Sequence, residues 1–211
     1  MFSWDKGARR FRHGESGRFV SQRTIDGVRD EILDRSMSRV DAITKAMLDG
    51  NMSRGDWLVA MRNEIKSVHI QEYLLSRGGR NAMTPADWGR IGREVRTQYN
   101  YLDRFAAELS TLSDEAVAAR ARLYTAGANT AYAEGQAAAW NNVRLPARPG
   151  DGSTRCKRYC RCSWIMGETE AAITARWTLG SSREKCDDCK RRAREWAPLS
   201  FDKGTGERIA A

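Results

Sequence analysis

The chain has 211 residues, of which 41% are hydrophobic and 30% are charged, and its formal net charge is +9. This length allows one domain, or one domain with a small appendage, and the composition is that of a soluble globular protein. No apolar run approaches the roughly 20 residues of a membrane-spanning helix, and the first residues lack the apolar core of a secretion signal. We therefore expect a protein that is made in a cytoplasm and has no membrane partner.

Residues 1–23 are predicted to form an N-terminal arm. Two short segments, Arg10–His13 and Arg18–Ser21, flank the turn-forming residues Gly14–Gly17. That pattern is typical of a short β-hairpin. Because an isolated hairpin is only marginally stable in water, we expect the arm to need a partner surface.

Residues 24–140 are predicted to form a helical body of about four helices, because apolar residues recur there at three- and four-residue spacings. Thr24 is expected to cap the first helix and Gly50 to end it. The second helix is expected to begin near Ser53, in a variant of the capping box, and to stop at Gly78.

Two further helices are predicted in the second half of this body. Thr84 and Pro85 form a typical helix start, with a capping hydroxyl and a proline at the first helical position. A fourth helix is expected to start at Ser113 and to run through an alanine-rich stretch to about Ala139. His69 follows a core-facing valine, and we interpret it as a packed or hydrogen-bonded histidine rather than a general base.

The chain then changes character. Prolines and glycines break any helix in residues 141–155 and predict a linker. All five cysteines follow, from Cys156 to Cys189, and they define a cysteine-rich module over residues 156–199. A polar tail is expected over residues 200–211.

The cysteines fall into two clusters, Cys156/Cys160/Cys162 and Cys186/Cys189. Two such clusters can supply the four thiolates of a tetrahedral metal site, and in a cytosolic chain they favour metal binding over a disulfide framework. We expect one structural zinc per chain, bound by Cys160, Cys162, Cys186 and Cys189, with Cys156 as a possible alternative ligand. A redox pair, unrelated free thiols or an iron–sulfur cluster are the alternatives.

Between the clusters, Ser163–Met166 and Ala175–Leu179 are predicted strands, and Trp164 and Trp177 could provide a tiny apolar core. A module of this size cannot bury enough surface to fold unaided, and a structural zinc could supply on the order of 10 kcal/mol. The predicted fold is therefore mainly α: a helical body of about four helices, a short N-terminal hairpin arm and a small C-terminal zinc-binding α+β module.

Residues 144–211 hold 15 Lys and Arg against 9 Asp and Glu, a net charge of +6. This excess suggests contact with nucleic acid or with an acidic protein surface, although a solvated helix face would show the same pattern. The residues expected to make this contact are Arg158, Arg161, Lys190, Arg191, Arg192 and Arg194.

The sequence contains no phosphate loop, no dinucleotide-binding glycine fingerprint and no serine elbow. No catalytic residue and no organic cofactor site is therefore assigned. An enzyme with an unrecognised site ranks below two other hypotheses, which are a structural protein and a nucleic-acid-binding regulatory protein that uses the zinc module.

The pattern of residues in the helical body and in the cysteine region resembles that of a known family. The positions that carry the resemblance are Trp57, Met61, Glu64-Ile65-Lys66, His69, Gly78-Gly79, Met83-Thr84, Asp87, Gly89, Gly92, Val95-Arg96, Gln98-Tyr99, Tyr101-Leu102, Phe105-Ala106, Pro149–Thr154, the two cysteine clusters and Trp196–Leu199. Over about residues 15–200 the chain is similar to the minor head, or head-morphogenesis, proteins of tailed phages, which are broadly similar to protein F of phage Mu. Many of those proteins carry the C-x-x-C pair before the C-R-C element, whereas here the order is reversed.

The resemblance implies a non-enzymatic structural component of a virion. Such a protein would be made in the host cytoplasm, be present in multiple copies in the phage head near the portal, and assist head assembly or genome packaging and delivery. Its implied partners are the portal protein, the major capsid protein or both. Contact with packaged DNA would be non-specific.

Overall fold

A computed structural model describes residues 2–5, 7–8, 10–180 and 185–210. The expectation of a mainly helical chain is confirmed, since the structure is 58% helical with small antiparallel sheets. Within the described ranges, no helix has the length and the apolar content that crossing a membrane requires.

The helices of the body are α1 (Gln22–Leu48), α2 (Arg54–Arg77), α3 (Pro85–Glu108), α4 (Asp114–Ala126) and α5 (Asn129–Ala139), and a short helix α6 (Asp187–Glu195) lies near the C-terminus. The predicted start of α3 is confirmed. The Thr84 hydroxyl accepts the backbone N–H of Asp87, and the Asp87 carboxylate accepts the backbone N–H of Thr84. Ser53 caps α2 as predicted, and Gly78 ends it in the left-handed conformation that favours glycine.

Two predicted helix boundaries are wrong. Helix α1 begins at Gln22 rather than after Thr24, because the Ser21 hydroxyl accepts the N–H of Thr24 and acts as the cap. The predicted fourth helix is broken into α4 and α5 between Ala126 and Asn129. The break turns the side chain of Asn129 inward, where it is 1% exposed and has long-range partners that local spacing could not reveal.

The core of the body lies where α2 packs against α1, α3 and α5, and α4 packs against α1. Trp57, Met61, Leu102 and Phe105 are completely buried there. The rings of Trp57 and Phe105 meet edge to face with their centroids 5.8 Å apart. Burial of large apolar side chains of this kind is the main stabilising contribution in a helical body.

The N-terminal arm is a hairpin, but its strands differ from those predicted. Strand β1 (Phe2–Asp5) pairs antiparallel with β2 (Arg10–His13). The expected pairing of β2 with residues 18–21 is reduced to one isolated bridge, between Arg12 and Phe19. The Trp4 ring contacts Phe11 and Trp140, with centroid separations of 4.9 and 5.9 Å, so the arm is packed on the rest of the chain.

The C-terminal module contains an antiparallel sheet of β3 (Ser163–Glu168), β4 (Ile173–Thr178) and β5 (Leu199–Phe201), in that order. The two predicted strands are thus present. The predicted tail is wrong at its start, because residues 200 and 201 belong to β5 and Phe201 is fully buried.

The segment predicted as a linker is also packed against the module. Val143 and Ala147 are buried, and the indole N–H of Trp164 donates to the carbonyl of Ala147 at 3.0 Å. Prolines and glycines interrupt the helical pattern there, as predicted, but the segment forms one wall of the apolar cluster beneath the sheet.

Candidate metal centre

A tryptophan cluster supports the module from inside. Trp164 and Trp177 are directly opposite each other on β3 and β4, are completely buried, and meet with ring centroids 5.2 Å apart. The predicted apolar core is therefore present. Trp196, which follows α6, stacks on Trp164 at 5.5 Å and completes the cluster, although its position in the sequence did not suggest this role.

The five cysteines come from two segments on either side of this core. Cys156, Cys160 and Cys162 lie around a 3-10 turn just before β3. Cys186 is the N-cap residue of α6, and Cys189 lies in the first turn of that helix. Because the β3–β4 hairpin reverses the chain, it returns the second cysteine segment to the first one.

Three separations between the sulfur atoms are those that a metal ion requires. The Sγ atom of Cys156 is 3.6 Å from that of Cys186 and 3.7 Å from that of Cys189, and the Sγ atoms of Cys160 and Cys189 are 3.6 Å apart. A tetrahedral zinc with Zn–S bonds of about 2.3 Å places its sulfurs about 3.8 Å from one another. The cysteine cluster could therefore hold a metal ion.

Two triads of thiols share one member. In the first, the Sγ atoms of Cys156, Cys186 and Cys189 lie within 4.8 Å of one another, and in the second those of Cys160, Cys162 and Cys189 do. Cys189 belongs to both triads. Cys156, expected only as an alternative ligand, therefore lies inside the cluster with the other four cysteines.

The environment of the buried thiols favours their protonated form when no cation is present. Contact with the Cys162 thiol, together with burial, raises the pKa of Cys160. Burial and the nearby Cys160 raise the pKa of Cys189, and burial raises the pKa of Cys156 to about 11. A divalent cation would reverse this balance, because it binds and stabilises thiolates.

Cys186 differs from the other thiols. Burial opposes its ionisation, but the backbone N–H groups of Cys189 and Cys156 outweigh burial and lower the pKa of Cys186 to about 7. Its position at the start of α6 acts in the same direction, because the positive end of a helix dipole stabilises a thiolate. Cys186 is thus the thiol best prepared to bind a cation first.

Side chains of the helical body hold the cysteine loop in place. The amide of Asn129 donates to the carbonyl of Cys160 at 2.8 Å and accepts the guanidinium of Arg29 at 2.7 Å. The amide of Gln136 donates to the carbonyl of Trp164, also at 2.8 Å. Both amides lie on α5, so this helix positions the candidate metal centre, a role for which the sequence contains no local signal.

Two of the six basic residues predicted to contact a partner serve the fold. Arg192 is 8% exposed, lies over the rings of Trp177 and Trp196, and donates to Ser153. Arg161 forms ion pairs with two aspartates of α1, Asp30 and Asp34. At these two positions the guanidinium groups satisfy internal acceptors, and the predicted contact with a partner stays a prediction.

The other four predicted contact residues are wholly or partly exposed. Lys190 and Arg191 point outward from α6 and form ion pairs at 3.5 Å with Asp187 and Asp188. Arg194 is exposed on the same helix, and Arg158 is half-buried beside α4. These four remain available to a partner.

His69 is completely buried on α2, and its Nδ1 atom lies 2.8 Å from the carbonyl oxygen of Ile65. Burial lowers its pKa. The interpretation of His69 as a packed, hydrogen-bonded residue is confirmed by this geometry.

Comparisons with known proteins do not place the chain in a family. No protein-family model, no curated protein and no solved structure matches it. The resemblance to phage minor head proteins therefore stays a prediction, and a functional proposal depends on that resemblance and on the geometry of the cysteine cluster.

Proposed function

We propose that this protein is a non-enzymatic structural component of a tailed-phage virion whose C-terminal module is held together by one zinc ion. In this proposal it acts as a minor head protein near the portal. It assists head assembly or genome packaging and delivery, in contact with the portal protein, the major capsid protein or both.

The observation that carries the zinc part of the proposal is the convergence of thiols from two separate segments. Sulfur separations of 3.6 and 3.7 Å match the edges of a sulfur tetrahedron around zinc. A set of thiolate donors without histidine or carboxylate is typical of a closed structural site. The zinc would supply folding free energy to a module whose own core is small.

We assign the four ligands as Cys156, Cys160, Cys186 and Cys189. Cys156 contacts sulfurs of the second segment at two points, which supports it over Cys162 as the fourth ligand. Cys162 is 4% exposed and lies immediately before β3, where an unligated cysteine packs as a small apolar side chain.

Elemental mass spectrometry of the purified full-length chain tests the zinc assignment. The expected result is one zinc per chain, retained through gel filtration and removed by a strong chelator. Iron with acid-labile sulfide would instead identify an iron–sulfur cluster. A chain free of metal after purification under reducing conditions, with no zinc uptake on titration, would contradict the assignment.

The virion part of the proposal rests on the resemblance across residues 15–200. The packing of the cysteine module onto the helical body is consistent with it, because a stiff unit suits a protein that is built into an assembly. The test is the protein content of purified phage particles and procapsids. The proposal predicts a few copies per particle, and absence from both kinds of particle would remove it.

A nucleic-acid-binding regulator is the second candidate, and the exposed cations of α6 favour it. Lys190, Arg191 and Arg194 all face solvent on one short helix. The ion pairs of Lys190 and Arg191 are exposed, and exposed ion pairs contribute little to stability. Breaking them to form contacts with phosphates would therefore cost little free energy. This candidate predicts that replacing all three residues by Ala abolishes binding to duplex DNA. Unchanged binding would exclude this surface.

A further inference from the structure

A groove on the helical body lies beside the cysteine loop and is separate from the metal centre. It has a volume of about 410 Å³ and is bounded by α3, α4 and the turn between Cys156 and Cys160. The groove is lined by Tyr101, Arg104, Arg120, Leu123, Tyr124 and Arg158, and by one carboxylate, that of Glu108. Three guanidinium groups thus converge on one groove from three different elements.

Two of the three arginines have no carboxylate partner. Arg120 pairs with Glu108 and lies over the ring of Phe105, so its charge is partly used by the fold. Arg104 and Arg158 form no ion pair with any residue in the described part of the chain, and the guanidinium of Arg158 donates a hydrogen bond to the carbonyl of Gly150 at 3.4 Å. Free guanidinium groups that face one groove are suited to an anion, especially the planar oxygens of a phosphate.

The groove also has an aromatic side. The ring of Tyr101 is on α3, is 45% exposed, and has the guanidinium of Arg104 5.3 Å from its centroid. Tyr124 and Leu123 add apolar surface from α4. A cationic groove with an exposed aromatic ring is the combination that binds single-stranded nucleic acids, because the backbone meets cations and a base stacks on the ring.

We propose that this groove binds a segment of single-stranded nucleic acid, with backbone phosphates on Arg104 and Arg158 and a base against Tyr101. The net charge of +9 would draw a polyanion towards the chain. An acidic peptide would satisfy the guanidinium groups, but its carboxylates would leave the ring of Tyr101 uncovered. The proposal stands whether or not the protein is part of a virion.

The groove differs from the surface that the sequence suggested. Of the six basic residues expected to contact DNA, only Arg158 lines it. Arg104 and Tyr101 belong to α3, far from the cysteines in sequence, and only the packing of the turn against the body brings Arg158 to them. The proposal therefore places nucleic-acid contact at the junction of the module and the body.

Fluorescence anisotropy of a labelled oligothymidylate, with the full-length metal-loaded chain at several salt concentrations, tests the proposal. Arg104→Ala and Arg158→Ala should each weaken binding and lower the slope of log affinity against log salt by about 0.7. Tyr101→Ala should weaken binding about fivefold or more with little change in that slope. Circular dichroism and metal content confirm that each variant remains folded.

The matched control is Arg96→Ala, which removes one exposed positive charge from the same helix outside the groove. It should change affinity by less than about twofold. Equal losses for Arg96→Ala and Arg104→Ala would show that only net charge matters and would overturn the proposal. Binding that is unchanged by all three groove substitutions, or abolished by substituting Lys190, Arg191 and Arg194, would overturn it as well.

Competition identifies the occupant. Unlabelled single strands should displace the probe, whereas a duplex of equal length and a poly-glutamate peptide should do so only weakly. If a duplex competes as well as single strands do, and Tyr101→Ala leaves the affinity unchanged, then no base stacks on Tyr101 and the proposal is rejected. Poly-glutamate binding in the absence of any oligonucleotide binding would assign the groove to an acidic protein.

Discussion

Cys156 and Cys162 occupy similar positions in the sequence but have different neighbours in the structure. Cys156 contacts the sulfurs of Cys186 and Cys189 at 3.6 and 3.7 Å, whereas Cys162 is grouped with Cys160 and Cys189 only. A thiol that contacts both cysteines of the second segment is the better fourth ligand, whereas a thiol grouped with only one of them can be lost without opening the site. The two residues should therefore respond differently to substitution.

We predict that Cys156→Ala lowers zinc affinity at least tenfold, since a ligand is lost, whereas Cys162→Ala leaves one zinc per chain. Competition with a chromogenic chelator measures both affinities. Cys189→Ser is the positive control, because Cys189 belongs to both triads and its loss should remove the zinc and open the module. Loss of zinc in Cys162→Ala but not in Cys156→Ala would restore the ligand set first expected from the sequence.

Glu72 is a buried carboxyl that makes stability depend on pH. Burial raises its pKa from an ordinary 4.5 to about 7, although Arg29, 2.8 Å away, opposes the shift. Between pH 4.5 and about 7, the Glu72 carboxyl is protonated in the folded chain and ionised in the unfolded chain. The contribution of Glu72 to the free energy of unfolding is therefore full below pH 4.5 and is lost as the pH rises through 7.

Glu72→Gln removes this titration. We predict that the free energy of unfolding of the natural chain, relative to that of the variant, falls by up to about 3 kcal/mol between pH 4.5 and 7.5. Urea unfolding curves of both chains across this range measure the difference. The buried His69 and the thiols are present in both chains, so their titration cancels. A difference that is constant with pH would contradict the prediction.

At the scale of elements, the contact between α2 and α5 depends on a glycine. A Cβ atom at Gly135 would lie 1.9 Å from the hydroxyl of Ser76 and 3.0 Å from the carbonyl oxygen of Tyr73. The backbone of α2 cannot retreat without disturbing its own hydrogen bonds. The close approach of the two helices therefore requires a residue without a side chain at this position.

We predict that Gly135→Ala lowers the free energy of unfolding by about 1–3 kcal/mol, because it overpacks this contact. Gly92→Ala is the matched control on α3, where the added methyl group meets nothing within 4 Å. It should raise stability by about 0.5–1 kcal/mol through helix propensity. Thermal unfolding followed by circular dichroism reports both effects, and equal destabilisation by the two substitutions would refute the packing argument.

Local signals in the sequence predicted elements well where an element is determined locally. The Thr84 capping box, the Ser53 cap and the stop at Gly78 depend on residues within one turn of the helix end. The break before Asn129 and the pairing of β1 with β2 depend instead on tertiary partners. The alanine-rich pattern continues through the break, so periodicity alone could not locate it.

The candidate site was predictable to the same extent. Cysteine spacing predicted that two clusters would meet, and the indole rings of Trp164 and Trp177 indicated the small core beneath them. The spacing did not indicate that Cys156 would contact the second segment, because that contact depends on the path of a turn. Nor did charge runs distinguish the internal Arg192 from its exposed neighbours.

At the scale of the whole molecule, the predicted linker and the end of the predicted body pack against the predicted module. Trp140 and Val143 belong to the same apolar cluster as Trp164 and Trp177. Arg161, next to Cys160, pairs with Asp30 and Asp34 of the first helix. The end of the body thus packs into the core of the module and the cysteine loop pairs with the first helix, so ordering of this loop by a metal should stabilise both.

We predict that removal of the metal lowers the midpoint of thermal unfolding of the helices as well as that of the module. Two probes follow them: far-ultraviolet circular dichroism, which is dominated by the body, and near-ultraviolet circular dichroism, which is sensitive to the stacked indole rings of Trp164 and Trp196. The two transitions should coincide in the loaded chain, and both should move to lower temperature after chelation, by about 2–4 °C for each kcal/mol lost.

The Cys189→Ser variant controls for other actions of the chelator, which should have no effect on it. A helical transition that stays in place while the indole signal disappears would show that the body is stable without the metal, and that the contacts through Asn129 and Arg161 transmit no stability.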